Sequence, residues 1–221
     1  MKILVVNCNT SVEVSHRIAV GARAAAAPGT QIVMAEPSWG VSSAEGYYES
    51  FISAAAVLSV LVERGDEADA VVLAGFGEHG REGARQLLDA PVVDITEAAA
   101  ITAGLLGHRY GVVTTLRSTV AGIEDSLLTA GLDRRCAGVR AADIPVLAIH
   151  EELEATARAL AVEARVLIEA GADVIVLGCA GMAGLDLALE SLLDVPVVDG
   201  VQAAVGLAES LVRMGKRTSK R

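Results

Sequence analysis

Short aliphatic runs alternate with longer amphipathic segments along the whole chain. Lys2 to Val6, Gln31 to Ala35, Ala70 to Ala74, Val92-Val93, the run opening at Tyr110, Val139-Arg140, Val174 to Leu177 and Val197-Val198 read as strands. Most are apolar throughout instead of alternating, which suits parallel strands covered on both faces. Between them, helices are expected from a Thr10 or Ser11 cap through about Ala27, then over Tyr47 to Arg64, Arg81 to Leu88 and Thr96 to Leu106. In the second half they are expected from a Ser118 cap to Ala130, over His150 to Ala170 and over Val201 to Met214. Such alternation predicts an α/β protein with parallel sheets, right-handed crossovers and ligands held beyond the carboxyl ends of the strands.

The pattern occurs twice. Ala68 to Gly80 aligns with Ala172 to Gly184 at a constant offset, and Leu88-Asp89-Ala90-Pro91-Val92-Val93-Asp94 matches Leu193-Asp194-Val195-Pro196-Val197-Val198-Asp199 at an offset one residue larger. Tyr110 to Ser118 mirrors the opening strand and turn, setting Thr114 and Thr115 opposite Asn7 and Cys8. The repeat predicts two lobes related by a pseudo-twofold, each a parallel four-stranded sheet flanked by helices, with a cleft between them. Residues 1–98 with 203–221 form the expected first lobe and 99–202 the second. Turns at Asn7 to Ser11, Ser38 to Val41, Gly75 to Gly80, Thr114 to Ser118 and Gly178 to Gly181 should converge at that cleft.

Composition narrows the partners. With 52% hydrophobic but only 3% aromatic residues, the core is made of Ala, Val, Leu and Ile. The formal charge of −10 argues against nucleic acid, whose phosphates would be repelled, and favours a small-molecule substrate. No apolar run suits a secretory leader or a bilayer span, so the chain reads as a cytoplasmic protein. Apolar helical stretches such as Ala155 to Ala164 point to a homo-oligomer, a dimer or higher. The basic stretch Lys216 to Arg221 reads as a solvated, frayed terminus.

Chemistry centres on the second copy of the repeat. Val174 to Leu177 delivers Cys179 to the turn Gly178-Cys179-Ala180-Gly181, near a helix start whose partial positive charge favours thiolate. The equivalent position in the first copy is Gly75. Three cysteines, Cys8, Cys136 and Cys179, have no metal-like spacing, and an odd number in such a chain argues for free thiols. Cys8 reads as a structural thiol at the edge of the cleft and Cys136 as an incidental loop residue. His79, after Glu78, is a candidate acid or base set against an ordinary exposed loop histidine. His16, His108 and His150 read as solvated or helix-start residues. Asn9, Ser38, Gly40, Phe76, Thr114, Thr115 and Ala180 are candidate substrate contacts, set against roles as turn formers and caps. Gly77, Gly178 and Gly181 are candidates to bring backbone N–H groups to a developing oxyanion. The GxGxxG match at Gly75 to Gly80 lies at the third strand, without a suitably spaced acidic partner, and does not read as a nucleotide site.

These stretches resemble the aspartate/glutamate/hydantoin racemase superfamily, most closely its hydantoin and allantoin racemases. The likeness lies in Lys2 to Ser11 (similar to an opening ending N-P-N-[ST]), Pro37-Ser38-Trp39-Gly40, Ala74 to Gly80, Pro91-Val92-Val93, Leu177 to Met182 and Leu211 to Lys220. It implies an isomerase without cofactor or metal, in which two cysteines on opposite faces exchange the proton next to a carbonyl of a 5-substituted hydantoin or allantoin. By that pattern, Gly75 stands where the first cysteine is expected, Cys8 replaces the proline of N-P-N, and Glu78-His79-Gly80 replaces D-P-G. One sulfur with glycine opposite also resembles arylmalonate decarboxylase of the same superfamily, a lyase. His79 or Cys8 as the second proton carrier, and a small-ligand-binding homologue without chemistry, are the other readings.

Overall fold

The computed structural model describes residues 1–149 and 152–220. Two four-stranded parallel sheets lie side by side in the chain. The first contains β1 (Lys2–Asn7), β2 (Gln31–Ala35), β3 (Ala70–Ala74) and β4 (Val92–Asp94) in the order β2-β1-β3-β4. The second contains β5 (Tyr110–Thr114), β6 (Cys136–Ala141), β7 (Val174–Leu177) and β8 (Val197–Asp199) in the equivalent order β6-β5-β7-β8. Every pairing is parallel, as the expected doubling requires. All residues of β3, β5 and β7 are buried, which explains why their sequences lack polar alternation.

Helices α1 (Val12–Ala25), α2 (Tyr47–Arg64), α3 (Arg81–Leu87) and α4 (Ile95–Leu106) follow the strands of the first half. Helices α5 (Val120–Thr129), α6 (Leu153–Glu169), α7 (Asp186–Leu193) and α8 (Gly200–Arg213) follow those of the second. Ser11 starts α1, its hydroxyl accepting from the Val14 amide. Two helices cross between the halves: α4 follows β4 yet packs on β7, and α8 follows β8 yet packs on β3 and α1. One apolar cluster therefore runs from Ile3 and Val72 in the first sheet to Ile175 and Leu177 in the second through Ala98, Ala204 and Ala208. Small side chains on both crossing helices allow that close approach.

Several expectations need correction. Ser118 does not cap α5: Arg117–Thr119 form a 3-10 turn, and the helix begins at Val120 after Thr119, whose hydroxyl donates to the Leu116 carbonyl. β6 begins at Cys136, so that residue belongs to an edge strand and not to a loop. The expected helix start at His150 and Glu151 lies outside the described residues, and α6 is described from Leu153. α7, which the strand reading passed over, stands where α3 stands in the first half. The basic tail is tied down: the Thr218 amide donates to the Asp89 carbonyl, and Lys220 Nζ donates to the Leu88 carbonyl at 2.6 Å, beyond the last turn of α3. A cation at a helix carboxyl end offsets unpaired carbonyls, which is why this short tail docks. Arg221 lies outside the described residues. No helix among the described residues is long and apolar enough to cross a membrane.

Candidate active site

Four of the five expected turns meet in one cavity of about 40 Å³ at the carboxyl ends of the central strands. Asn7, Cys8 and Asn9 enter after β1, Gly75, Phe76 and His79 after β3, Thr114 and Thr115 at β5, and Gly178, Cys179, Ala180 and Gly181 after β7. The fifth turn stays outside: Ser38 and Gly40 are exposed, and the same loop contributes Ser43 and Ala44 to the wall instead. Val41 explains the offset, because its carbonyl accepts from both the amide and the hydroxyl of Thr10 and pins the loop by its middle. A space this small holds about a water molecule or two, so a substrate needs the lobes to part.

A second cavity of about 340 Å³ adjoins the first through Ala44, Phe76, His79 and Thr119. Tyr47, Phe51, Glu78 and Asp125 line it, and the Tyr47 hydroxyl donates to Asp125, joining α2 of the first half to α5 of the second.

Most polar groups at the base of the cavity are already engaged. Asn7 Nδ2 donates to Asn9 Oδ1 at 3.0 Å and to Ser15 Oγ at 3.1 Å, and Asn9 Oδ1 accepts from the Ser11 amide. Thr114 Oγ1 donates to the Gly178 carbonyl at 3.0 Å, tying the β5 and β7 turns together. Two expected oxyanion donors are spent on structure: the Gly77 amide donates to Thr96 Oγ1 at 2.9 Å and the Gly178 amide to the Val113 carbonyl at 2.7 Å. Gly77 lies outside the 40 Å³ cavity and lines the larger one, while Gly178 is glycine because a β-carbon there would sit 2.7 Å from Val112 Cγ1.

Cys179 begins a 3-10 turn, Ala180–Met182. Burial pushes its thiol up to about 11, although the backbone amides of Gly181 and Met182 pull the other way. The helix-start environment expected to favour thiolate is thus present but outweighed by desolvation. Cys8 is buried, and burial followed by the charge of Cys179 pushes its thiol up to about 12. His79 is not an exposed loop residue: it is 5% exposed, burial lowers its pKa, and its Nδ1 has no hydrogen-bond partner. The turn carrying it is held by Glu78, whose Oε1 accepts from the amides of Gly80 and Arg81 at 2.8 Å. Beneath it Arg81, fully buried, is surrounded by Glu78, Glu82, Asp94 and Glu97. Sequence reasoning missed Arg81, although the acidic residues spaced around it were a signal for a buried cation. Ser43, Ala44, Thr119 and Val146 also line the cavity unforeseen, since irregular loops carry no periodicity to read.

Gly75 sits against two of the cavity's titratable residues, Cys8 and His79. A β-carbon there would lie 2.4 Å from His79 Cδ2, 2.7 Å from Cys8 Cβ and 2.9 Å from Cys8 Sγ. Cys8 and His79 therefore pack against the same side of Gly75.

Comparison with known proteins agrees with this architecture. A hydantoin racemase from Pseudomonas sp. (strain NS671) is 39% identical over 223 aligned positions, covering 100% of this chain and 89% of its own. The crystal structure of allantoin racemase from Pseudomonas fluorescens superposes with a TM-score of 0.97 at 54% identity, covering 100% of this chain and 94% of its own. Arylmalonate decarboxylase, at 23% identity and a TM-score of 0.67 with 96% and 92% covered, shares the fold. Residues 3–208 match the Asp/Glu/hydantoin racemase model, and with the full-length relatives above they establish that the chain belongs to this family of racemases.

Proposed function

We propose that this chain is an isomerase that exchanges the proton on the carbon next to a carbonyl in a 5-substituted hydantoin or allantoin, with Cys179 as one proton carrier and no cofactor. The observation that carries the reading is the convergence of the Cys179 turn and the Gly75 turn on one small cavity at the carboxyl ends of the strands. A flat ring placed there presents one face to each lobe. Removing its proton puts negative charge on the carbonyl oxygen, while the Gly181 and Met182 amides act on the Cys179 sulfur and favour its thiolate. A raised thiol pKa makes the thiolate scarce but strongly basic once formed, which suits a weakly acidic carbon.

The larger cavity adjoining His79 would take the ring substituent once the lobes part. Exposed Leu153 and Val162 on α6 favour self-association, which light scattering would measure.

Incubation of each enantiomer in D2O, followed by NMR and chiral chromatography, tests the reading. Racemisation with deuterium uptake, abolished in Cys179→Ser, is the expected result. Absence of exchange from any hydantoin or allantoin sinks it. A second reading, one-faced protonation after decarboxylation of a malonate-type substrate, is favoured by glycine at 75 and predicts carbon dioxide release without racemase activity.

A further inference from the structure

Inversion needs a proton carrier on each face of the reacting carbon. Among the described residues lining the small cavity, three have titratable side chains: Cys8, His79 and Cys179. Cys179 comes from the second half, and the other two come from the first. In the first sheet Asn7 pairs with Ala74, so the next residues of the two strands, Cys8 and Gly75, leave the sheet side by side. The Cys8 sulfur lies 2.9 Å from the point where residue 75 would carry its β-carbon, and so occupies the volume that glycine leaves empty.

We propose that Cys8 is the second acid–base group of the site, a thiol carried on β1 instead of β3, facing Cys179 across the bound ring with His79 beside it. The proposal rests on the racemase reading above. Two further observations support it. Cys8 and Cys179 line the same small cavity from opposite halves of the chain. His79, 5% exposed, brings its Cδ2 to 2.4 Å from the same vacant β-carbon position, so the imidazole and the Cys8 sulfur crowd one side of the cavity.

For the enantiomer whose hydrogen faces the first lobe, the Cys8 thiolate takes the proton and becomes S–H, while the C–H electron pair moves into the carbonyl as an enolate. Cys179 S–H then returns a proton to the opposite face and is left as thiolate. One proton leaves the carbon, one arrives, and nothing is oxidised. The other enantiomer runs the same steps in reverse.

Both enantiomers are followed in D2O with the parent, Cys8→Ala, Cys8→Ser, Cys179→Ser and the double variant Cys8→Ala/Gly75→Cys. Loss of either thiol should reduce racemisation by about 100-fold or more. The Cys8 variants should still exchange, with retention, the enantiomer whose hydrogen faces Cys179; Cys179→Ser should show the opposite preference. The double variant should recover racemisation. Cys8→Ser retains the side-chain shape, so it serves where Cys8→Ala folds poorly. Racemisation by Cys8→Ser within threefold of the parent, or equal loss of exchange from both enantiomers, overturns the role of Cys8 and leaves the racemase reading standing. A parent that exchanges neither enantiomer overturns both.

Discussion

Ile95 and Gly200, equivalent residues of the two halves, touch each other: a β-carbon on Gly200 would lie 2.8 Å from the Ile95 carbonyl oxygen. Each is the first residue of a crossing helix, α4 or α8, and each follows the last residue of its sheet, Asp94 or Asp199. The pseudo-twofold axis runs through this contact, and one partner must be glycine for the helices to meet.

Gly200→Ala should therefore destabilise the fold by about 1–3 kcal/mol, because the Ile95 carbonyl is backbone and cannot turn aside. Gly206→Ala, in the same helix with nothing within 4 Å of its β-carbon, should stabilise by roughly 0.5–1 kcal/mol through helix propensity alone. Thermal unfolding compares them, with about 2–4 °C expected per kcal/mol for a chain of this size. Equal shifts in both variants would contradict tight crossing of the helices at the axis.

The capping aspartates differ in what else they do. Asp94 accepts from the Thr96 and Glu97 amides and lies 3.7 Å from buried Arg81; Asp199 accepts from the Val201 and Gln202 amides and from Gly184. Loss of a cap costs about 0.5–2 kcal/mol, whereas removing one partner of a buried ion pair costs about 3–5 kcal/mol. Urea unfolding should find Asp94→Ala distinctly more damaging than Asp199→Ala. Glu78, Glu82 and Glu97 also surround Arg81, and equal costs would mean that they hold it without Asp94.

Both sheets were legible because the repeat Asp-x-Pro-Val-Val-Asp marks each fourth strand, whereas the capping role of its last aspartate was not read and the helices start one residue earlier than expected, at Ile95 and Gly200. Cys179, Gly75 and Thr114 were legible for the same reason: each follows or ends a continuously apolar strand. His79 was not, since burial of a turn residue depends on α2 and on the neighbouring lobe, which no local pattern encodes. The spent amides of Gly77 and Gly178 were hidden likewise, because their acceptors Thr96 and Val113 are distant in sequence or belong to another strand. Ser38 and Gly40 looked like cleft residues from their place after β2, but only the packing of Val41 against Thr10 decides which part of that long loop turns inward.

The two raised thiols carry a pH signature. Burial pushes Cys8 up to about 12 and Cys179 up to about 11 from an ordinary 9.0, so the folded chain holds these protons more tightly than the unfolded one. Their contribution to stability is complete below about pH 9 and is lost as pH rises through 11 to 12. Urea midpoints should fall more steeply above pH 9 for the parent than for Cys8→Ala. Parallel curves would indicate that Cys8 titrates as an exposed thiol.

Gly75→Cys tests the packing directly. Its β-carbon would meet Cys8 Cβ at 2.7 Å, Cys8 Sγ at 2.9 Å and His79 Cδ2 at 2.4 Å, so the single substitution should cost about 1–3 kcal/mol. Removing the Cys8 sulfur first takes away one of those contacts, and the cost of the new cysteine should then shrink. Residues in contact couple by about 0.5–3 kcal/mol in a double-mutant cycle. Urea unfolding of the parent, Cys8→Ala, Gly75→Cys and the double variant measures that coupling without reference to activity. Costs that simply add would mean that the sulfur of Cys8 does not fill the space beside Gly75, and the crowding argument for a thiol carried on β1 would fail.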